Sequence, residues 1–138
     1  MKQDIQQTWF FNQPVAEVWD YLTKPELIEQ WLMPTDFKPV VGHKFKFDSP
    51  HGKKNMCEVL AIVPHKLLSY SWQSCSGLTM DSVVTWTLAE KEGGTQLLLQ
   101  HNGFKLLEEI TSHTNGWETL LKGLTELLNK KHHADTNA

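Results

Sequence analysis

The amino-acid sequence predicts an α+β fold: one strand, two short helices, a long run of strands and a closing helix. Three observations carry that prediction. Apolar and polar residues alternate near the N-terminus and again from about Gly42 to His101, the period-2 pattern of half-buried strands. Between those runs lies a short stretch of helical spacing punctuated by prolines. Beyond Gly103-Phe104 the apolar residues recur at three, four and seven, which marks a long amphipathic helix.

Each element can be justified in turn. Ile5, Gln7, Trp9 and Phe11 set the first strand at about Gln3 to Phe11, with Phe10 the exception to the alternation. Asn12-Gln13-Pro14 breaks it, with Asn12 as the expected N-cap and Pro14 in the first helical turn, where its missing N–H is not needed. Val15, Val18, Trp19 and Leu22 make the first helix. Thr23 as a cap, Pro25, then Leu27, Ile28 and Trp31 make the second, which Pro34 ends. Phe45 and Phe47 open the strand run, with Ser49-Pro50-His51-Gly52 as a turn. Met56 to Val63 follows, closed by Pro64-His65-Lys66. Leu68, Tyr70 and Trp72 alternate next, and Ser74 to Gly77 turns the chain. Val84, Trp86 and Leu88 face one way, Lys91-Glu92-Gly93-Gly94 signals a tight hairpin, and Thr95 to His101 completes the run. The last helix carries Ile110, Trp117, Leu120, Leu121, Leu124, Leu127 and Leu128 as its stripe.

With 138 residues the chain fits a single domain, expected over residues 1–130 and followed by a flexible polar tail at 131–138. At 40% hydrophobic and 21% charged residues it has enough apolar material for a core and is no candidate for disorder. A net charge of −3, with only 13 scattered Lys and Arg, argues against a nucleic-acid partner. No apolar run reaches signal-peptide or membrane-span length, so no membrane insertion is expected and the default compartment is a reducing cytoplasm. Cys57 and Cys75 then stand as free thiols, with no Cys or His at metal-ligand spacing. Neither a metal nor a cofactor is expected: there is no phosphate-binding Gly-rich loop, nucleophile elbow or His-Glu-x-x-His helix. Six Trp and six Phe supply unusual apolar area, suited either to a thick core or to a pocket wall.

The element order alone fits several α+β folds. The residues narrow the choice. Pro14-Val15-Ala16-Glu17-Val18-Trp19, then Leu22-Thr23-Lys24-Pro25-Glu26-Leu27 and Gln30-Trp31, closely resemble the opening of the activator-of-Hsp90-ATPase-homologue-like family, within the START and birch-pollen-allergen-like superfamily. The resemblance continues through Val41-Gly42-His43-Lys44-Phe45, Glu58-Val59-Leu60, Tyr70-Ser71-Trp72, His101-Asn102-Gly103-Phe104 and Gly116-Trp117, about residues 3 to 128. It implies a helix-grip fold, a curved antiparallel sheet of about six strands wrapped around the long C-terminal helix with a cavity between them. It implies less about chemistry, since a fold hosts many functions.

In that fold Trp31, Trp72, Trp86 and Trp117 converge on the cavity, the plain alternative being core filling. Phe45, Phe104 and Leu121 join them as candidate wall residues. His101 shares a strand face with Thr95, Leu97 and Leu99, so its imidazole is expected inward, either bound to a loop carbonyl or orienting a ligand. Glu58 is ambiguous, because its strand is apolar on both faces. It is placed inward on the ground that the family usually carries a polar residue at the position of Ala61. The leading functional reading is non-catalytic binding of a small apolar or amphipathic molecule. A cyclase- or hydrolase-type enzyme using His101 with Glu58 is the second reading, and a protein-interaction module, including a chaperone-linked one, is the third. A titratable pair in one cavity favours the second; an exposed apolar patch over a filled cavity favours the third. The residues leave the oligomeric state open.

Overall fold

The computed structural model describes residues 4–48, 54–73, 82–104 and 107–136. Strand β1 (Asp4–Phe11) is followed by helices α1 (Val15–Thr23) and α2 (Pro25–Trp31). Five strands come next: β2 (Lys44–Asp48), β3 (Lys54–Val63), β4 (Leu67–Trp72), β5 (Ser82–Lys91) and β6 (Gly94–Asn102). Helix α3 (Leu107–Thr136) closes the chain, its backbone helical past position 130. The turns expected at 49–52 and 74–77 lie outside the described residues, as does Cys75.

The sheet is antiparallel, in the order β1-β6-β5-β4-β3-β2. β1 and β2, consecutive along the chain, therefore lie at opposite ends of that order, and α1 and α2 belong to the connection between them. The sheet curves over α3 in the helix-grip arrangement. Its buried face carries Ile5, Phe45, Phe47, Val59, Leu68, Tyr70, Trp72, Val84, Trp86, Leu97 and Leu99. α3 meets it with Trp117, Leu121, Leu124 and Leu128, spaced by four and three so that they form one stripe, while Ile110, Leu120 and Leu127 pack at its edges. Two side-chain bonds tie α3 to the N-terminal segment: the Gln7 amide donates to the Thr114 carbonyl, and Gln13 donates to Asn129 Oδ1, both at 3.2 Å.

The hairpin between β5 and β6 has Lys91 paired with Gly94 and two loop residues at positive φ, Glu92 at 50° and Gly93 at 82°. That is the turn whose twist matches the strands it joins. Gly94 itself is pressed against the backbone of Phe11, and a Cβ there would run into the Phe11 carbonyl oxygen.

Two expected caps are corrected. The residue before α1 is Pro14, extended at φ −66° and ψ 156°, and neither Asn12 nor any other side chain caps the helix. Thr23 does not cap α2; it ends α1, and its hydroxyl donates back to the Trp19 carbonyl at 2.9 Å. Lys24 takes the cap position instead, since a residue before proline is pushed out of the helical region, here to φ −100° and ψ 118°.

Glu58 is corrected too. Along β3 the buried positions are Asn55, Cys57 and Val59, so Glu58 shares the outward register with the exposed Met56 and Leu60. The pairing shifts between Val59 and Ala61, a bulge that turns Ile62 back toward the core opposite Leu68. Val59 and Ile62 thus both face in, which no strict period-2 reading allows.

Candidate functional site

The interior between sheet and α3 is an aromatic stack. Trp31 meets Trp86 edge-on at 6.1 Å between centroids, Trp86 meets Trp117 at 5.4 Å, and Trp117 meets Trp72 at 5.5 Å. Trp72 continues to Phe47 at 5.4 Å, and Phe45 meets Tyr70 at 5.3 Å. These rings touch one another, so at Trp31, Phe45, Trp86 and Leu121 the large side chains fill the space they enclose.

A buried indole N–H needs an acceptor. Trp31 Nε1 donates to the Tyr21 carbonyl at 2.8 Å, and Trp86 Nε1 to the Tyr70 hydroxyl at 2.9 Å. Burial pushes the Tyr70 phenol well above its ordinary pKa, so that hydroxyl stays protonated. Trp117 Nε1 donates to His101 Nδ1 at 3.0 Å. Trp72 is the exception: its Nε1 is sealed from solvent and has no hydrogen-bond partner among the described residues.

His101 is fully buried and sits in a chain of bonds whose direction is determined. An indole N–H only donates, so His101 Nδ1 is the acceptor and its proton is on Nε2. Nε2 lies 3.0 Å from Ser82 Oγ and donates to it, and Ser82 in turn donates to the Trp72 carbonyl. Burial, with His113 close by, lowers the His101 pKa from 6.5 to about 2, so the ring is neutral. Both ring nitrogens are committed inside the protein. Phe104 packs on this imidazole at 4.3 Å.

Open space lies one step away. A cleft of about 120 Å³ is lined by Met33 after α2, Trp72 at the end of β4, and Ser112, His113, Gly116, Trp117 and Leu120 on one face of α3. His113 Nδ1 lies 2.8 Å from the Glu109 carbonyl, which can only accept, so that nitrogen carries a proton. Gly116 stands in the middle of the helix, and a Cβ there would touch nothing within 4 Å. Ser112 also borders a wider, open hollow with Leu107, Glu108 and Thr111.

Of the residues singled out from sequence, Trp72 and Trp117 line this cleft. Trp31, Phe45, Trp86, His101, Phe104 and Leu121 are buried off its wall, and Glu58 is on the far face of the sheet. Met33, Ser112, His113, Gly116 and Leu120 were missed as cleft residues. The available signal was the helical spacing of 113, 116, 117 and 120 on one face of α3. Burial raises the Cys57 pKa well above the ordinary thiol range, leaving it inert. Among the described residues no His, Cys, Asp and Glu side chains gather as a metal site, and no helix is long and apolar enough to cross a membrane.

A curved antiparallel sheet gripping a long helix, with a cleft beside the helix, defines a START-like helix-grip domain, a fold that commonly holds ligands. The family profile described as activator of Hsp90 ATPase homolog 1-like protein matches residues 12–129, and the chain belongs to that family. The crystal structure of protein MLL2253 from Mesorhizobium loti is 36% identical, with a TM-score of 0.86, over 92% of this chain and 97% of that one. CalU16 from Micromonospora echinospora is 26% identical, with a TM-score of 0.80, over 91% and 73%. DynU16, from the dynemicin biosynthetic locus, shares the fold at 22% identity and a TM-score of 0.85, over 94% of this chain and 48% of that one. No curated protein matches the sequence significantly.

Proposed function

We propose that the protein binds one small apolar or amphipathic molecule between the sheet and α3, in the cleft walled by Trp72, Trp117, Met33 and Leu120, and does no chemistry on it. The observation that carries this reading is Gly116. A glycine inside a helix costs about 0.5–1 kcal/mol relative to alanine. Here a Cβ would meet nothing within 4 Å, as is also true at Gly123 further along α3, so packing explains neither glycine; Gly116 is the one of the two that lines the cleft. Keeping the cleft open gives a reason for it. A cavity of about 150 Å³ lined by apolar groups admits a benzene-sized molecule. The cleft, at about 120 Å³, is of the size to take a ring or a short alkyl end, with the remainder extending past Ser112.

The enzymatic alternative loses its residues, since His101 and Glu58 lie on opposite faces of the sheet and His101 has no free nitrogen. The interaction-module reading has an observation of its own. Met56, Leu60 and Val63 are 49%, 44% and 47% exposed along β3. One experiment separates the two: titration of apolar and fatty-acid-like probes, followed by intrinsic Trp fluorescence and thermal shift. Saturable binding at one per chain, lost in Gly116→Leu, is expected for the binder. No saturable signal from any probe moves the assignment to the interaction module.

A further inference from the structure

The polar end of the ligand can be specified, resting on the binding site proposed above. Two residues that line the cleft bring polar ring nitrogens near it. Trp72 offers a donor without an acceptor: among the described residues its buried Nε1 has no hydrogen-bond partner. Its aromatic neighbours Phe47, Trp117, His101 and His113 lie 5.4 to 6.4 Å away between centroids and are at best weak acceptors. His113 offers the opposite. With the proton of an uncharged imidazole on Nδ1, held by the Glu109 carbonyl, Nε2 presents a lone pair. The two rings are neighbours on the cleft, nearly perpendicular at 82° with centroids 6.4 Å apart.

We propose that the cleft takes a ligand whose apolar body ends in a hydroxyl, the oxygen accepting from Trp72 Nε1 and the hydroxyl proton going to His113 Nε2. A carbonyl or ether satisfies Trp72 alone, and a hydrocarbon satisfies neither. A phenol suits the space best, because one ring fills it and Trp72, Trp117 and Leu120 supply apolar walls. Because Trp72 Nε1 is sealed from water, the oxygen reaches it only as the wall gives. Met33, unbranched and with three rotatable bonds, is a flexible member of that wall. This reverses the expectation that His101 is the polar contact: its nitrogens are taken by Trp117 and Ser82.

The test is a matched series, 4-pentylphenol, 4-pentylanisole and pentylbenzene, titrated into the full chain by calorimetry and by ¹⁵N NMR of the Trp side chains. The phenol is expected to bind about tenfold or more tightly than pentylbenzene, with the anisole between them, as two ordinary hydrogen bonds allow. The Trp72 indole N–H resonance should move downfield with the phenol and the anisole but not with pentylbenzene. In His113→Phe, which keeps a ring, the advantage of phenol over anisole should vanish while pentylbenzene binds as before. If that variant does not fold, the wild-type series and the Trp72 resonance decide alone. Equal affinity across the series, or an unmoved Trp72 resonance, overturns the hydroxyl assignment and leaves the binding site standing. No binding by any of the three overturns both.

Discussion

Acidification should remove stability through His101, and the size of the loss follows from its surroundings. The ring is fully buried, and burial together with His113 holds its pKa at about 2 against an ordinary 6.5. In the folded protein it stays neutral between pH 7.5 and 5.0, whereas in the unfolded chain it gains a proton as the pH falls through 6.5. The unfolded state then binds more protons, so this contribution is present above pH 6.5 and is lost progressively as the pH falls toward the folded pKa. Down to pH 5.0 the loss is about RT ln(1 + 10^1.5), or roughly 2 kcal/mol, with a slope near 1.3 kcal/mol per pH unit at the acid end. That is a large share of a typical stability of about 5–15 kcal/mol. Urea unfolding followed by Trp fluorescence, on wild type and on His101→Gln, measures it. Glutamine keeps a donor and an acceptor but cannot charge. The variant should be less stable at pH 7.5, and the gap should narrow by about 2 kcal/mol at pH 5.0. A gap that stays constant, or an NMR titration placing the His101 midpoint near 6.5, refutes the argument.

Three further outcomes are expected. Ser82→Ala leaves the buried His101 Nε2–H without its acceptor and should cost about 1–3 kcal/mol by denaturant unfolding; a change below about 0.5 kcal/mol would mean that the relay through Ser82 contributes nothing. Gly116→Ala should raise stability by about 0.5–1 kcal/mol, because the Cβ enters open space within a helix, and a destabilised variant would contradict that geometry. Cys57 should resist alkylation in the folded protein, while two thiols should label after unfolding without reductant; no label at all would expose a disulfide between the two cysteines.

The period of the sequence carried the fold. Alternation placed Leu97, Leu99 and His101 on one face of β6, the Glu92-Gly93 pair marked its hairpin, and Trp117, Leu121, Leu124 and Leu128 traced the buried side of α3. Glu58 was misplaced because a single bulge beyond Val59 reverses the face of the strand, and apolar residues on both sides hide it. Which residues a face meets is a further matter. Nothing local to His101 announces Ser82 and Trp117 as its partners, since strand register and helix rotation decide them. The cleft joins Met33, Trp72 and Gly116 from three distant segments, and its most telling member is a residue without a side chain. Aromatic content identified wall material but could not separate rings that line space from rings that fill it.

The most direct measurement is native mass spectrometry of the intact protein titrated with 4-pentylphenol, beside Gly116→Leu, whose added side chain occupies the cleft. The wild type should take up one molecule per chain at saturation, and the variant should remain bare while keeping its folded charge-state distribution. Uptake by both proteins alike would place the ligand elsewhere, and bare wild type at every concentration would contradict ligand binding itself.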